Sequence, residues 1–216
     1  MLLHLVKKDS LLVKKYLILM FIAAIALPVF IQIKTASLGG GGFLAFFIST
    51  LFIQFIIFNS VSLLEYKFKG SAMLCATPYG RNALVQSKYL FLLLLFAGCC
   101  VLYTLTALLI PGQLDMLSLS DFGKTFLILS VVFSIMIPVQ YRFGFEKSKY
   151  IFFFSIFITP FLAPVVMQYA QARNFSFPAA FPGPQIVQDL APIGLALAAG
   201  VASMLVSMRI FGKQNL

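Results

Sequence analysis

Side chains able to carry out chemistry are few in this sequence, and their spacing suits no common mechanism. His4 is the only imidazole in 216 residues, so an HExxH zinc site is excluded and a Ser-His-Asp triad would have to be built on that one ring. No GxxxxGK[ST] phosphate loop occurs, so the chain cannot itself act as a P-loop ATPase. Cys99 and Cys100 are neighbours within an apolar run and Cys75 lies in a basic loop, a placement that predicts free thiols rather than a disulfide framework. A membrane-embedded enzyme is thus the least favoured class.

The elements that would position any site are built for a solvent other than water. The chain is 61% hydrophobic and 10% charged, with mean hydropathy +1.01, where a soluble domain carries about 25% charged residues. Its net charge of +10 does not point to nucleic acid, because the lysines sit in short gaps between long apolar runs rather than on an exposed polar surface. Crossing roughly 30 Å of hydrocarbon at about 1.5 Å per residue takes around 20 apolar residues. Six windows qualify, at 16–33, 43–64, 89–110, 125–141, 150–169 and 190–208. The prediction is an all-α integral membrane protein with an N-terminal segment, 1–15, and one six-helix transmembrane domain, 16–216. Pro160 and Pro164 raise a second possibility for the fifth window, a half-span followed by a re-entrant outer segment.

Counting the gaps alternately, all of the 16 Lys and Arg residues except Lys34, Lys124 and Arg173 fall on one side. Positive loops stay in the cytoplasm, so both termini are expected there, in the cell membrane. A signal peptide is the competing reading, given the lysines before the first apolar run and Thr35-Ala36-Ser37 after it. The run from Tyr16 to Ile33 exceeds an h-region, which favours a retained first helix.

No Asp, Glu, Lys, Arg or His lies deep in any window, which argues against an ion-coupled transporter. The polar groups inside the windows are neutral, among them Gln54, Ser130, Ser134 and Ser203, and are expected to bond between helices. Three surfaces stand out. Residues 1–15 place Leu2, Leu5, Val6, Asp9, Leu12 and Val13 near helical spacing, while Lys7, Lys8, Lys14 and Lys15 can reach towards lipid headgroups. This reads either as an interfacial helix or as a basic flank to the first span. In the last window Gly194, Ala198 and Ala202 recur every four residues and suit either a dimer interface or packing within the chain. The largest cytoplasmic loop, 65–89, is punctuated by Pro78 and Gly80, with Met73 and Leu74 before them and a helical restart through Leu84 and Val85 after them. It reads as a short helical hairpin. It is either a connector that fixes topology or a docking surface for a soluble partner.

At that loop the chain resembles the permease subunits of exporter-type ABC transporters. The pattern is an acid closing the second span, a Lys-rich turn, a short helix ending at Pro with Arg soon after, then an aliphatic residue and Lys-Tyr opening the third span. Glu65, Lys67, Pro78, Arg81, Val85, Lys88 and Tyr89 match it, and Gly70-Ser71-Ala72 departs from it. Within the group the chain is most similar to permeases of phenol-soluble-modulin-type peptide exporters. The resemblance implies a coupling helix that docks on a cytoplasmic ABC ATPase through Met73, Leu74, Pro78, Tyr79, Arg81, Leu84, Val85 and Lys88. It also implies two permeases with two ATPases, with ATP and Mg held by the ATPases and no cofactor on this chain. Walls of Phe, Leu and Met suit amphipathic peptides or other lipophilic cargo, because a charged solute would find nothing to replace its water. The alternative is a non-transporting scaffold or sensor that anchors a cytoplasmic partner at the membrane.

Overall fold

Long runs of Leu, Ile and Phe with few charges can satisfy their backbone groups in hydrocarbon only as helices or closed barrels, and here they are helices. The computed structural model describes residues 2–35, 41–68, 80–110, 114–172 and 185–213. In chain order the elements are α1 (Leu2–Leu12), α2 (Lys14–Thr35), α3 (Gly41–Lys67), α4 (Arg81–Leu109), α5 (Leu119–Phe143), α6 (Phe145–Ala172) and α7 (Gln185–Gly212). Among the described residues five stretches are long and apolar enough to cross a membrane: Lys14–Lys34, Gly42–Lys67, Asn82–Leu109, Leu119–Phe143 and Leu190–Gly212. The window 150–169 falls within α6, whose backbone stays helical through the positions of Pro160 and Pro164.

α3 is the central column. It meets α1, α2, α4, α5 and α6, and Phe47, Leu51, Phe55 and Phe58 carry it into a core shared with Leu92, Leu129, Phe133, Ile137 and Ile156. α2 lies against one side of α3, sealed by Met20, Ala24, Ile53 and Ile57. α5 and α7 form the most extensive pair, stitched by hydroxyls. Ser130 donates to the Ala196 carbonyl at 2.7 Å, Ser134 to that of Ala199 at 3.3 Å, and Ser203 to that of Ser134 at 2.6 Å. These are the interhelical bonds expected of Ser130, Ser134 and Ser203, each contributing about 0.6 kcal/mol in a membrane bundle.

The ends of the helices gather into two groups. At one end, Tyr66 and Phe145 rings lie 5.7 Å apart and Tyr141 and Phe211 rings 5.1 Å apart. Gly144 makes the tight α5–α6 turn there, at φ 80, a conformation L side chains rarely adopt. At the other end Phe46 packs edge-on against Tyr103 and Phe122. Ser118 caps α5 there in a reciprocal capping box with Asp121.

Candidate functional site

The charge-bearing site lies at the first of these ends, where α1 meets the membrane helices. The stripe on α1 buries Leu5, Val6 and Asp9, so helical spacing delivers a carboxylate to an apolar interface. Such burial is tolerated only with a partner. Lys8, the preceding residue, supplies it at 2.8 Å from the Asp9 Oδ1, and the same ammonium donates to Glu65 Oε1 of α3 at 3.1 Å. The other oxygen of Glu65 pairs with Lys88 of α4 at 2.7 Å. The Lys88 ammonium also stands 5.3 Å from the centre of the Tyr141 ring of α5. Two acids and two bases from three helices therefore share one pocket, and their formal charges cancel.

Burial separates this arrangement from a surface ion pair. Asp9 is 1% exposed and the Glu65 and Lys88 side chains are 15% and 14% exposed. Burial raises the carboxyl of Asp9 above its ordinary value, the nearby Glu65 charge adds to the rise, and Lys8 opposes it. An apolar seal closes the cluster: Leu5 of α1, Leu84 and Val85 of α4, and Phe211 of α7 pack together beside Tyr89 and Tyr141. The Tyr89 hydroxyl reaches Ser203 at 2.8 Å and Ser207 at 2.9 Å, joining α4 to α7 just inside the seal.

Several residues assigned from sequence to the ATPase contact are found in this seal. Leu84 and Val85 are buried against Leu5 and Phe211, and Lys88 turns inward to Glu65. Arg81 opens α4. Met73, Leu74, Pro78 and Tyr79 lie outside the described residues, as does Cys75. On α1, Lys7 is exposed and Lys8 is committed to the cluster, while Lys14 and Lys15 at the start of α2 are exposed. Gly194, Ala198 and Ala202 are exposed, and a Cβ on Gly194 would meet nothing within 4 Å. The small residues that bring α7 against α5 are instead Ala196, Ala199, Gly200 and Ser203, with Gly200 facing the Ser130 hydroxyl. Sequence reasoning missed the joint role of Lys8, Asp9, Glu65, Lys88 and Tyr141. The available signal was Asp9 itself, a lone acid on an apolar stripe.

A second feature is a cavity of about 390 Å³ between α4, α5 and α7, reached also by Leu2 of α1 and Gln54 of α3. Among the described residues no group of three or more His, Cys, Asp or Glu could hold a metal ion. The arrangement carries no nucleophile–base pair, and its polar chemistry is that of a joint between helices.

A bundle of helices long and apolar enough to cross a membrane, with buried charge gathered at one end, defines a multi-pass membrane protein. The family follows from the chain as a whole: the family model described as ABC-2 family transporter protein matches residues 4–212, and the chain belongs to that family. It is the membrane component of an ABC-2 type transporter, non-catalytic itself, with ATP hydrolysis on a separate ABC ATPase with which such a component associates. No curated protein and no solved structure matches the chain.

Proposed function

We propose that this chain is the six-span permease of an ATP-driven exporter that moves amphipathic or hydrophobic cargo, such as phenol-soluble-modulin-like peptides, out of the cytoplasm. The observation that carries the reading is the Lys8–Glu65–Lys88 cluster. Glu65 lies two residues before the end of α3 and Lys88 seven residues after the start of α4, so the ion pair clamps both stems of the 69–79 loop, and Lys8 adds α1 to the clamp. A push on the loop is then delivered to three helices together.

In this scheme α6 supplies the sixth crossing and both termini are cytoplasmic, as the distribution of Lys and Arg favours. The ATPase contact falls on the loop and Arg81, while Leu84, Val85 and Lys88 hold the loop's second stem in place. Two permeases work with two ATPases, and ATP binding with Mg on those partners shifts the permease pair between conformations. The exposed Gly194, Ala198 and Ala202 are available for contact between the two copies.

Co-purification with the ATPase tests the coupling assignment. Arg81→Glu should release the ATPase, and an ATPase that stays bound when 69–79 is replaced by a Gly/Ser linker sinks the assignment. Stimulation of ATP hydrolysis by an amphipathic peptide in lipid discs tests export. A non-transporting scaffold or sensor would show none with any cargo.

A further inference from the structure

The cavity between α4, α5 and α7 has a chemistry that selects its occupant. Among the described residues no charged one lines it. Its polar groups are largely spent on the protein: Ser130 and Ser134 donate to α7 carbonyls, Tyr89 is bonded to Ser203 and Ser207, and the Gln54 amide points to the Leu92 carbonyl at 3.5 Å. Water needs two to four polar partners to settle in a protein interior, and few remain. An empty hollow of about 390 Å³ would forfeit dispersion contacts along its whole lining. The fitting occupant is apolar.

Shape and access narrow it further. On α4 the lining runs from Gln86 to Phe96, about 15 Å along the axis at 1.5 Å per residue. That equals about half of a 30 Å hydrocarbon core, the depth of one leaflet. Leu93, Leu197 and Val201 line the cavity and are also 41%, 46% and 52% exposed. The hollow therefore opens sideways between α4 and α7, at a depth where the surrounding medium is lipid tails. Its lining reaches closest to the basic end at Gln86 of α4, and it includes Leu2 of α1, the helix that carries the exposed Lys7.

We propose that this cavity is a binding site for one acyl chain of a membrane phospholipid. The chain belongs to the leaflet at the basic end, enters between α4 and α7, and lies along α4 with its headgroup side towards Gln86. The inference needs the membrane placement of the family and not the export reading, so either can fail without the other.

The test uses the full chain in lipid discs containing a phospholipid with a diazirine midway along one acyl chain, irradiated and mapped by mass spectrometry. The expected result is labelling of Phe126, Leu93 and Leu197 several-fold above that of Leu105 and Leu205, which are exposed on α4 and α7 but do not line the cavity. Val201→Trp and, separately, Leu93→Trp narrow the opening at exposed positions. Each should cut labelling of Phe126 several-fold and leave Leu205 unchanged. Labelling of the lining no greater than that of Leu105 and Leu205 overturns the proposal, as does labelling that ignores both substitutions. Two other outcomes also overturn it. Selective loss of the lining labels on adding an excess of an amphipathic helical peptide would assign the cavity to cargo. A disulfide between two copies carrying Val201→Cys would assign the opening to a second chain.

Discussion

At the basic end of the bundle Glu65 meets the ammoniums of Lys88 and Lys8 at 2.7 and 3.1 Å, in a pocket closed by Leu5, Leu84, Val85 and Phe211. At the opposite end Asp115 does a related job with neutral partners. One of its oxygens accepts from the Gly42 backbone N–H at 3.2 Å and the Gln32 amide at 3.1 Å, and its backbone carbonyl accepts from the Tyr103 hydroxyl at 3.1 Å. There a carboxylate from the α4–α5 connection serves a free N–H in the first turn of α3, where the helix dipole favours negative charge. Both ends tie three helices through an acid. At the basic end each charge needs its partner, because solvent cannot replace it. At the other end fit sets the limits, since the donors are neutral but the backbones are close. The basic end is therefore vulnerable to loss of charge and the opposite end to gain of volume.

The largest expected effect comes from unbalancing the charges. Glu65→Ala leaves Lys88 without its acid and Lys8 with Asp9 alone, and breaking a buried pair in this way costs about 3–5 kcal/mol. The partial exposure of Glu65, 15%, places the expectation at about the lower end of that range. Thermal unfolding of the purified chain in lipid discs measures it. The double change Glu65→Met with Lys88→Met should cost less than the two single losses combined, because no buried group is then left unpaired. Additive losses would show that the two residues do not act as a pair.

Steric damage at the other end comes next. A Cβ on Gly42 would sit 2.9 Å from the Tyr103 hydroxyl, 3.1 Å from Asp115 Cβ and 3.2 Å from the Asp115 carbonyl oxygen. Gly42→Ala should cost about 1–3 kcal/mol by overpacking. Tyr103→Phe alone should cost about 1 kcal/mol for the hydrogen bond to Asp115, and combining it with Gly42→Ala should partly relieve the clash. Unfolding midpoints of the three variants decide whether the two changes interact. Ser118→Ala, which removes the α5 cap, should cost about 1 kcal/mol by the same measurement.

How legible these two ends were in the sequence follows from the same physics. Each span window coincides with a helix, the third overrunning α4 by one residue at Ile110, because hydropathy over about 20 residues depends on composition rather than on partners. α4 begins at Arg81, well before the window at 89–110, because its first turns are polar on one side and pack Leu84 and Val85 on the other. That mixture read as a surface for a soluble partner. The residues that cover it, Leu5 and Phe211, come from the two ends of the chain, and no local pattern announces them. Glu65 and Lys88 were legible only as positions at the two ends of one loop, and their pairing is completed by Lys8 and Tyr141 from other helices. On α7 the stripes Gly194/Ala198/Ala202 and Ala196/Gly200 repeat with the same period of four. Only Ser130 and Ser134, on another helix, decide which of them is packed.

The smallest effect sharpens the contrast by pH. Asp9 is held above its ordinary value near 3.8 by burial and by Glu65, against the pull of Lys8. The folded state then binds a proton more readily than the unfolded chain, so stability falls as pH rises from about 3.8 through the raised folded value. Asp9→Asn keeps the shape of the protonated acid and cannot ionise. Its unfolding midpoint, relative to that of the unaltered chain, should climb across that window and level off above it, with Lys8 still paired to Glu65. A difference that stays flat throughout would mean that Asp9 ionises as freely folded as unfolded. The α1 stripe would then be wetter than its packing against α4 indicates, and solvent would support the charge of Asp9.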